Sequence, residues 1–224
     1  MTAAGRAAPD AAVVACPGWT VATVVKHVGL VHQWAGVLLR DYPAERPTFP
    51  KAPEGISSAE VPDWADAQRE GFLAALDASD GDREVWAFGQ MRPARFWWRR
   101  QATETAIHAV DATAAARQPW TVPGDAAVGG IEEAVEWNLA RVFAATPPAW
   151  GEGRTVHFHR TDGAGEWLVT LGNPPKVERG HAKGDLAVRG PASQVLLWIW
   201  NRPADVEVFG DPALAKAWAE NVKT

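Results

Sequence analysis

The spacing of apolar residues changes character once along the chain, from a helical period of about 3.6 to the alternation of strands, near Trp150. In TVATVVKHVGLVHQWAGVLLR, Val24, Val28, Val31 and Ala35 recur at steps of four, three and four. This predicts a helix from Thr20, its N-cap, to about Arg40. DWADAQREGFLAALDA predicts a second helix from about Pro62 to Ala78, with Trp64, Phe72, Leu73 and Leu76 inward. A third covers FWWRRQATETAIHAVDATAAAR, Phe96 to Arg117, which contains neither Gly nor Pro and follows Pro93. GIEEAVEWNLARVFAAT is a fourth, with Ile131, Val135, Leu139, Val142 and Phe143 on one side, stopped by Pro147 and Pro148. Beyond it RTVHFHRT and WLVTL flank the turn DGAGE as a hairpin, and KGDLAVRG is a short strand. PASQVLLWIWNR is a helix, ADVEVFG a strand, and DPALAKAWAENV a closing helix with Asp211 as N-cap and Pro212 in its first turn. The expected organisation is α+β, with a helical domain over residues 1–150 and a small α/β domain over 151–224. Residues 1–15 carry no period and are expected to be loosely ordered. The segment 42–62, with five prolines in 21 residues, is expected to be a loop.

Composition narrows the function. An apolar fraction of 47% supports a real core, and 22 basic against 27 acidic residues leave a net charge of -5. That balance argues against nucleic-acid binding, which needs an excess of Lys and Arg over phosphate. No apolar run approaches the roughly 20 residues that span a bilayer, and MTAAGRAAPD lacks the apolar core of a signal peptide. The single Cys16 allows no internal disulfide and fits a reducing cytoplasm. Thirteen tryptophans supply buried area or pocket walls, and their number does not separate the two uses.

The third helix carries the chemistry. Gln101, Glu104, His108 and Asp111 lie at steps of three, four and three on one face, and from Gln101 to Ala116 the only other polar side chains are threonines. A solvated face would carry charges of both signs. The pattern instead predicts a mostly buried helix with an inward carboxylate and imidazole, groups costly to bury unless paired or bound to metal. His27 lies within the apolar stripe of the first helix and, taken alone, reads as a satisfied core histidine unless Glu104 and His108 face it. Arg92, Arg95, Arg99 and Arg100 cluster beside Trp86, Trp97 and Trp98. They read as surface charge over apolar stems, with an anion-binding wall as the alternative. His157 and His159 share one face of their strand. They read as an exposed pair on an edge strand, because the facing strand offers no evident third ligand.

Taken together, CPGWTVATVVKHVGLVHQWA, RRQATETAIHAVD, GDLAVRGPASQVLLWIWNR and VEVFGDPALAKAW resemble, in order and spacing, the mycothiol-dependent maleylpyruvate isomerase family. The resemblance implies a DinB-like metal-binding four-helix bundle joined to a small α/β domain like a sterol carrier protein. It implies a divalent metal, usually zinc, on His27, Glu104 and His108, with mycothiol as thiol cosubstrate and a small anionic substrate. It makes Arg202 the clamp on a substrate carboxylate, for which the alternative is a helix-end charge. Two features depart from the family: only 15 residues precede Cys16, where members carry a further helix, and Ala109 stands where they often have Arg.

Two imidazoles and a carboxylate are the usual ligands of a catalytic zinc with one open position, though the same set could hold iron(II). The implied reaction is thiol addition to the conjugated double bond of maleylpyruvate, rotation, and elimination to fumarylpyruvate. A mycothiol S-transferase on the same site, and a non-catalytic binding protein of the same fold, are the alternative readings.

Overall fold

The computed structural model describes residues 1–222, in two compact units, Met1–Val122 and Pro123 onward. In the first, α1 (Thr2–Ala7), α2 (Val21–Asp41), α3 (Val61–Ala78) and α4 (Arg95–Ala115) pack together, and a two-stranded hairpin of β1 (Glu84–Ala87) and β2 (Gln90–Pro93) leads into α4. Thr20 caps α2, its side chain accepting from the Thr23 amide at 3.3 Å. Val24, Val28 and Ala35 are fully buried and Val31 half-buried, as the stripe predicts. On α3 Phe72 is buried, but Leu73 faces solvent.

Residues 1–15 are ordered, contrary to expectation. The six-residue α1 buries Ala4 in a cluster with Val13, Val21, Val24, Val25, Val61, Ala65 and Ala112, and Arg6 pairs with Asp63 and Asp66 of α3 at 2.7 and 2.8 Å. Small residues pack closely without a visible period, which is why the sequence hid this helix. The first unit therefore has three long helices and one short one among its described residues. The hairpin was also unforeseen: Phe88 and Gly89 both have positive φ, 50° and 88°, and form its two-residue turn.

In the second unit a helical run comprises α5 (Gly124–Glu133), a wider π-helical turn at Ala134–Asn138, and α6 (Leu139–Ala145). β3 (Thr155–Arg160), β4 (Glu166–Thr170), β5 (Lys176–Arg179), β6 (Leu186–Gly190) and β7 (Glu207–Gly210) form a sheet in the order β5-β4-β3-β6-β7, with α7 (Ala192–Ile199) and α8 (Pro212–Asn221). Only the β3–β6 pairing is parallel among the described strands. Phe158 and Trp167 point to the buried face, where Phe158 meets Trp198 and Trp218. Asp211 caps α8 by accepting from the Ala213 and Leu214 amides.

The boundary differs from the expected one near Trp150. The run 124–145 belongs to the second unit because α5 packs on α7, and Arg179 of β5 pairs with Glu132 and Glu136 at 2.6 Å each. The change of period marks where helix gives way to strand, whereas the unit boundary is set by what the apolar face of that helix packs against.

Candidate metal centre

α2 and α4 lie against each other in the first unit, which brings residues 77 apart in sequence into contact. Glu104 and His108, one turn apart on α4, face His27 of α2. Glu104 Oε1 lies 3.0 Å from His27 Nε2 and 3.4 Å from His108 Nε2, and one ligand atom from each residue lies within 4.8 Å of the others. All three are shielded, with side-chain exposures of 30%, 12% and 12% for His27, Glu104 and His108. The buried polar stripe of α4 is present: Gln101 and Asp111 are 2% and 4% exposed.

The surroundings orient each group. Arg100, one turn before Glu104, donates to its other oxygen, Oε2, and so leaves Oε1 to the two histidines. Burial alone would raise the Glu104 pKa, but the Arg100 charge and the hydrogen bonds from His108 and His27 hold it well below the ordinary carboxylate range. His108 Nδ1 lies 3.0 Å from Asp111 Oδ2, and the Cys16 thiol points to that same oxygen at 3.7 Å. Burial works to lower the His108 pKa, yet Asp111, Cys16 and Glu104 together push it up to about 11. The socket thus favours a positive charge, a proton or a metal ion, at this imidazole. Trp19, from the turn before α2, walls it, with ring centroids 5.1 Å from His27 and 6.3 Å from His108.

The donor set fits a divalent ion. A tetrahedral ion with bonds of about 2.0–2.1 Å holds its ligand atoms about 3.3 Å apart, close to the observed 3.0 and 3.4 Å. With Asp111 beside Nδ1, Nε2 is the atom of His108 that an ion would meet in place of a proton, the arrangement in which a carboxylate fixes the tautomer of a metal-binding histidine. One step behind the cluster, His32 of α2 meets Thr105 Oγ1 at 2.9 Å and stacks on Phe72, tying α2 to α4 and α3.

The other residues singled out in the sequence divide. Of the arginine cluster, Arg100 turns inward to Glu104, Arg95 pairs with Asp82, and Arg92 lies over the Phe96 ring at 5.1 Å. Arg92, Arg95 and Arg99 line a pocket of about 300 Å³. Arg202, just past α7, donates from Nη1 to the Trp200 carbonyl at 2.8 Å, the contact of a helix-end residue. Ala109 is buried. The reading of His157 and His159 as an exposed edge pair is overturned. β3 is the central strand, His157 is buried, and Glu166 on the facing β4 reaches both imidazoles. Arg100 and Asp111 were missed as partners of the site, although Arg100–Glu104 at four residues and His108–Asp111 at three were visible as helical spacings.

A helical unit carrying a His–Glu–His cluster, followed by a unit built on a mixed sheet, defines the class of this protein: a two-unit α+β fold with its candidate centre between α2 and α4. Residues 1–113 match the mycothiol maleylpyruvate isomerase N-terminal domain and residues 125–217 the MDMPI C-terminal domain; the chain belongs to this family. Among solved structures, a mycothiol-dependent maleylpyruvate isomerase and a histidine-to-alanine mutant each superpose with a TM-score of 0.59 at 14% identity, over 89% of this chain and 81% of theirs. No curated protein matched the sequence. The matched domains meet between residues 113 and 125, in agreement with the boundary seen in the fold.

Proposed function

We propose that this protein is a metal- and mycothiol-dependent isomerase of the maleylpyruvate type, with His27, Glu104 and His108 as its metal ligands. The observation that carries the proposal is the convergence of two imidazoles on one oxygen of Glu104, in a chain that matches both domains of the family. A divalent ion there, zinc by its donors, would supply a Lewis acid that ionises a thiol at neutral pH. Full ionisation of a thiol with pKa about 8.5 raises the nucleophile roughly thirtyfold, worth about 2 kcal/mol. The thiolate adds to the conjugated double bond of the cis substrate, the resulting single bond rotates, and elimination returns the thiol with the trans product.

The protein's own groups prepare this chemistry. Arg100 locks Glu104 in one orientation, and Asp111 holds the proton of His108 on Nδ1. Trp19 packs beside both imidazoles and covers part of each. Arg202 is our candidate for the carboxylate clamp, because a guanidinium binds carboxylate in two-point fashion. A thiol-dependent reaction and a single cysteine both suit the reducing cytoplasm.

The test is turnover of maleylpyruvate by zinc-loaded protein with and without mycothiol, alongside metal analysis. We expect mycothiol-dependent isomerisation, and loss of turnover together with one bound ion per chain in His108→Ala, because two ligands hold an ion far more weakly than three. Zinc-loaded wild type without mycothiol-dependent turnover rejects the isomerase. A wild type that binds no more metal than His108→Ala rejects the site itself.

A further inference from the structure

A second cluster of histidines lies wholly within the C-terminal unit. His157 and His159, two residues apart on β3, stand on the same face of the sheet, opposite to Phe158 and its helices. Glu166 is the cross-strand partner of His159 on β4 and the diagonal neighbour of His157. His181 follows β5, whose pairing with β4 continues through the Gly180 amide to the Glu166 carbonyl. As a result three imidazoles converge on one atom. Glu166 Oε2 lies 3.0 Å from His157 Nε2, 3.2 Å from His159 Nδ1 and 3.0 Å from His181 Nδ1.

Hydrogen bonding does not account for this arrangement. A carboxylate oxygen has two lone-pair sites, so three N–H donors cannot all be satisfied by Oε2. Only the His181 contact is a well-directed hydrogen bond, and of the two remaining imidazoles His157 is the buried one. Its Nε2 is fully buried, has no well-directed hydrogen bond, and points into the cluster from a residue only 4% exposed. Such an orphaned buried nitrogen is costly, and an ion at the centre would remove the cost by taking its lone pair. The spacing suits one, since 3.0–3.2 Å is near the roughly 3.3 Å between ligand atoms around a tetrahedral ion. One ligand atom each from His157, His159 and Glu166 already lies within 4.8 Å of the others.

The chain after His181 is pinned. A side chain at Gly184 would collide with the His157 backbone amide and Cβ at 3.0 and 3.1 Å, and Asp185 accepts from the Thr155 amide at 2.8 Å. His181 itself, 82% exposed, lies at the rim, outside the set of ligand atoms that all fall within 4.8 Å of one another.

We propose that His157, His159 and Glu166, with His181 as fourth ligand, form a second site for a divalent transition-metal ion, zinc by its donor set. Four protein ligands leave no open position, so the site is structural and clasps the segment 180–185 to the sheet. The site is independent of His27, Glu104 and His108. The test is zinc stoichiometry and affinity on the full chain, by competition with a chromophoric chelator. Wild type should bind one more zinc ion per chain than His159→Ala or Glu166→Gln, while His108→Ala should keep this ion. His181→Ala, a change at an exposed side chain that leaves the fold intact, should weaken it by more than about tenfold. Cobalt(II) loading of His108→Ala should give the intense visible bands of a four-coordinate ion. Equal zinc counts in wild type, His159→Ala and Glu166→Gln overturn the site. Affinity unchanged in His181→Ala removes its fourth ligand and with it the structural role.

Discussion

His32 offers a quantitative test of how α2 is held against the site. It is 3% exposed, bonded to Thr105 beside Glu104 and stacked on Phe72, and burial with the nearby Arg69 charge, against a smaller opposing effect of Glu104, lowers its pKa from 6.5 to about 4. A histidine neutral in the fold binds its proton more readily when unfolded. Stability is therefore complete above the unfolded pKa of about 6.5, falls as pH drops below it, and reaches its full loss below about 4. The whole shift corresponds to about 3.4 kcal/mol, of which about 2.5 kcal/mol is lost between pH 7 and pH 4.5. Urea unfolding of metal-free protein at these two pH values, for wild type and His32→Gln, isolates the contribution because other groups titrate in both. The variant should lose about 2.5 kcal/mol less than wild type on acidification. A difference below about 0.5 kcal/mol would show that His32 accepts its proton in the folded state at little cost, and that α2 is not anchored through a neutral imidazole.

Asp111→Asn keeps the shape of the side chain but removes the charge behind His108, and should weaken zinc binding about 10- to 100-fold in chelator competition. Unchanged affinity would mean that the tautomer of His108 is set otherwise. Arg202→Ala should leave zinc content and melting temperature unaltered yet lower mycothiol-dependent turnover roughly 10- to 150-fold, with Arg202→Lys recovering part of it. Turnover at the wild-type rate would leave Arg202 as a helix-end residue that donates to Trp200.

What the sequence shows of this molecule follows from the range of the interactions involved. Glu104 and His108 were legible because a helix repeats every 3.6 residues, and a polar stripe without Lys or Arg is conspicuous in it. His27 entered through an apolar stripe of the same kind. Arg100 hid in a run of arginines, since its inward turn depends on the partner it finds, Glu104. Nothing local could reveal that β3 is central, because its neighbour β6 lies some 30 residues away and pairs in parallel. With the strand order unknown, a buried His157 looked like an exposed one. β5 is four residues long with mixed burial, and α1 is built largely of alanines; neither has enough pattern to stand out. The π-helical turn in the run 124–145 likewise leaves no mark in composition.

The two residues that meet first at the candidate centre, His27 and Glu104, lie 77 positions apart. On our proposal, an ion shared between them is a cross-link as well as a reagent. It closes a loop that contains α3, the proline-rich segment and the β1–β2 hairpin, and by the chain-entropy relation for cross-links such a closure is worth about 4.5 kcal/mol. In a domain whose net stability is of the order of 5–15 kcal/mol, that is a large share. Chelation would then loosen the first unit and expose its long loop to proteases, so the supply of metal would govern how long the protein survives as well as how fast it works.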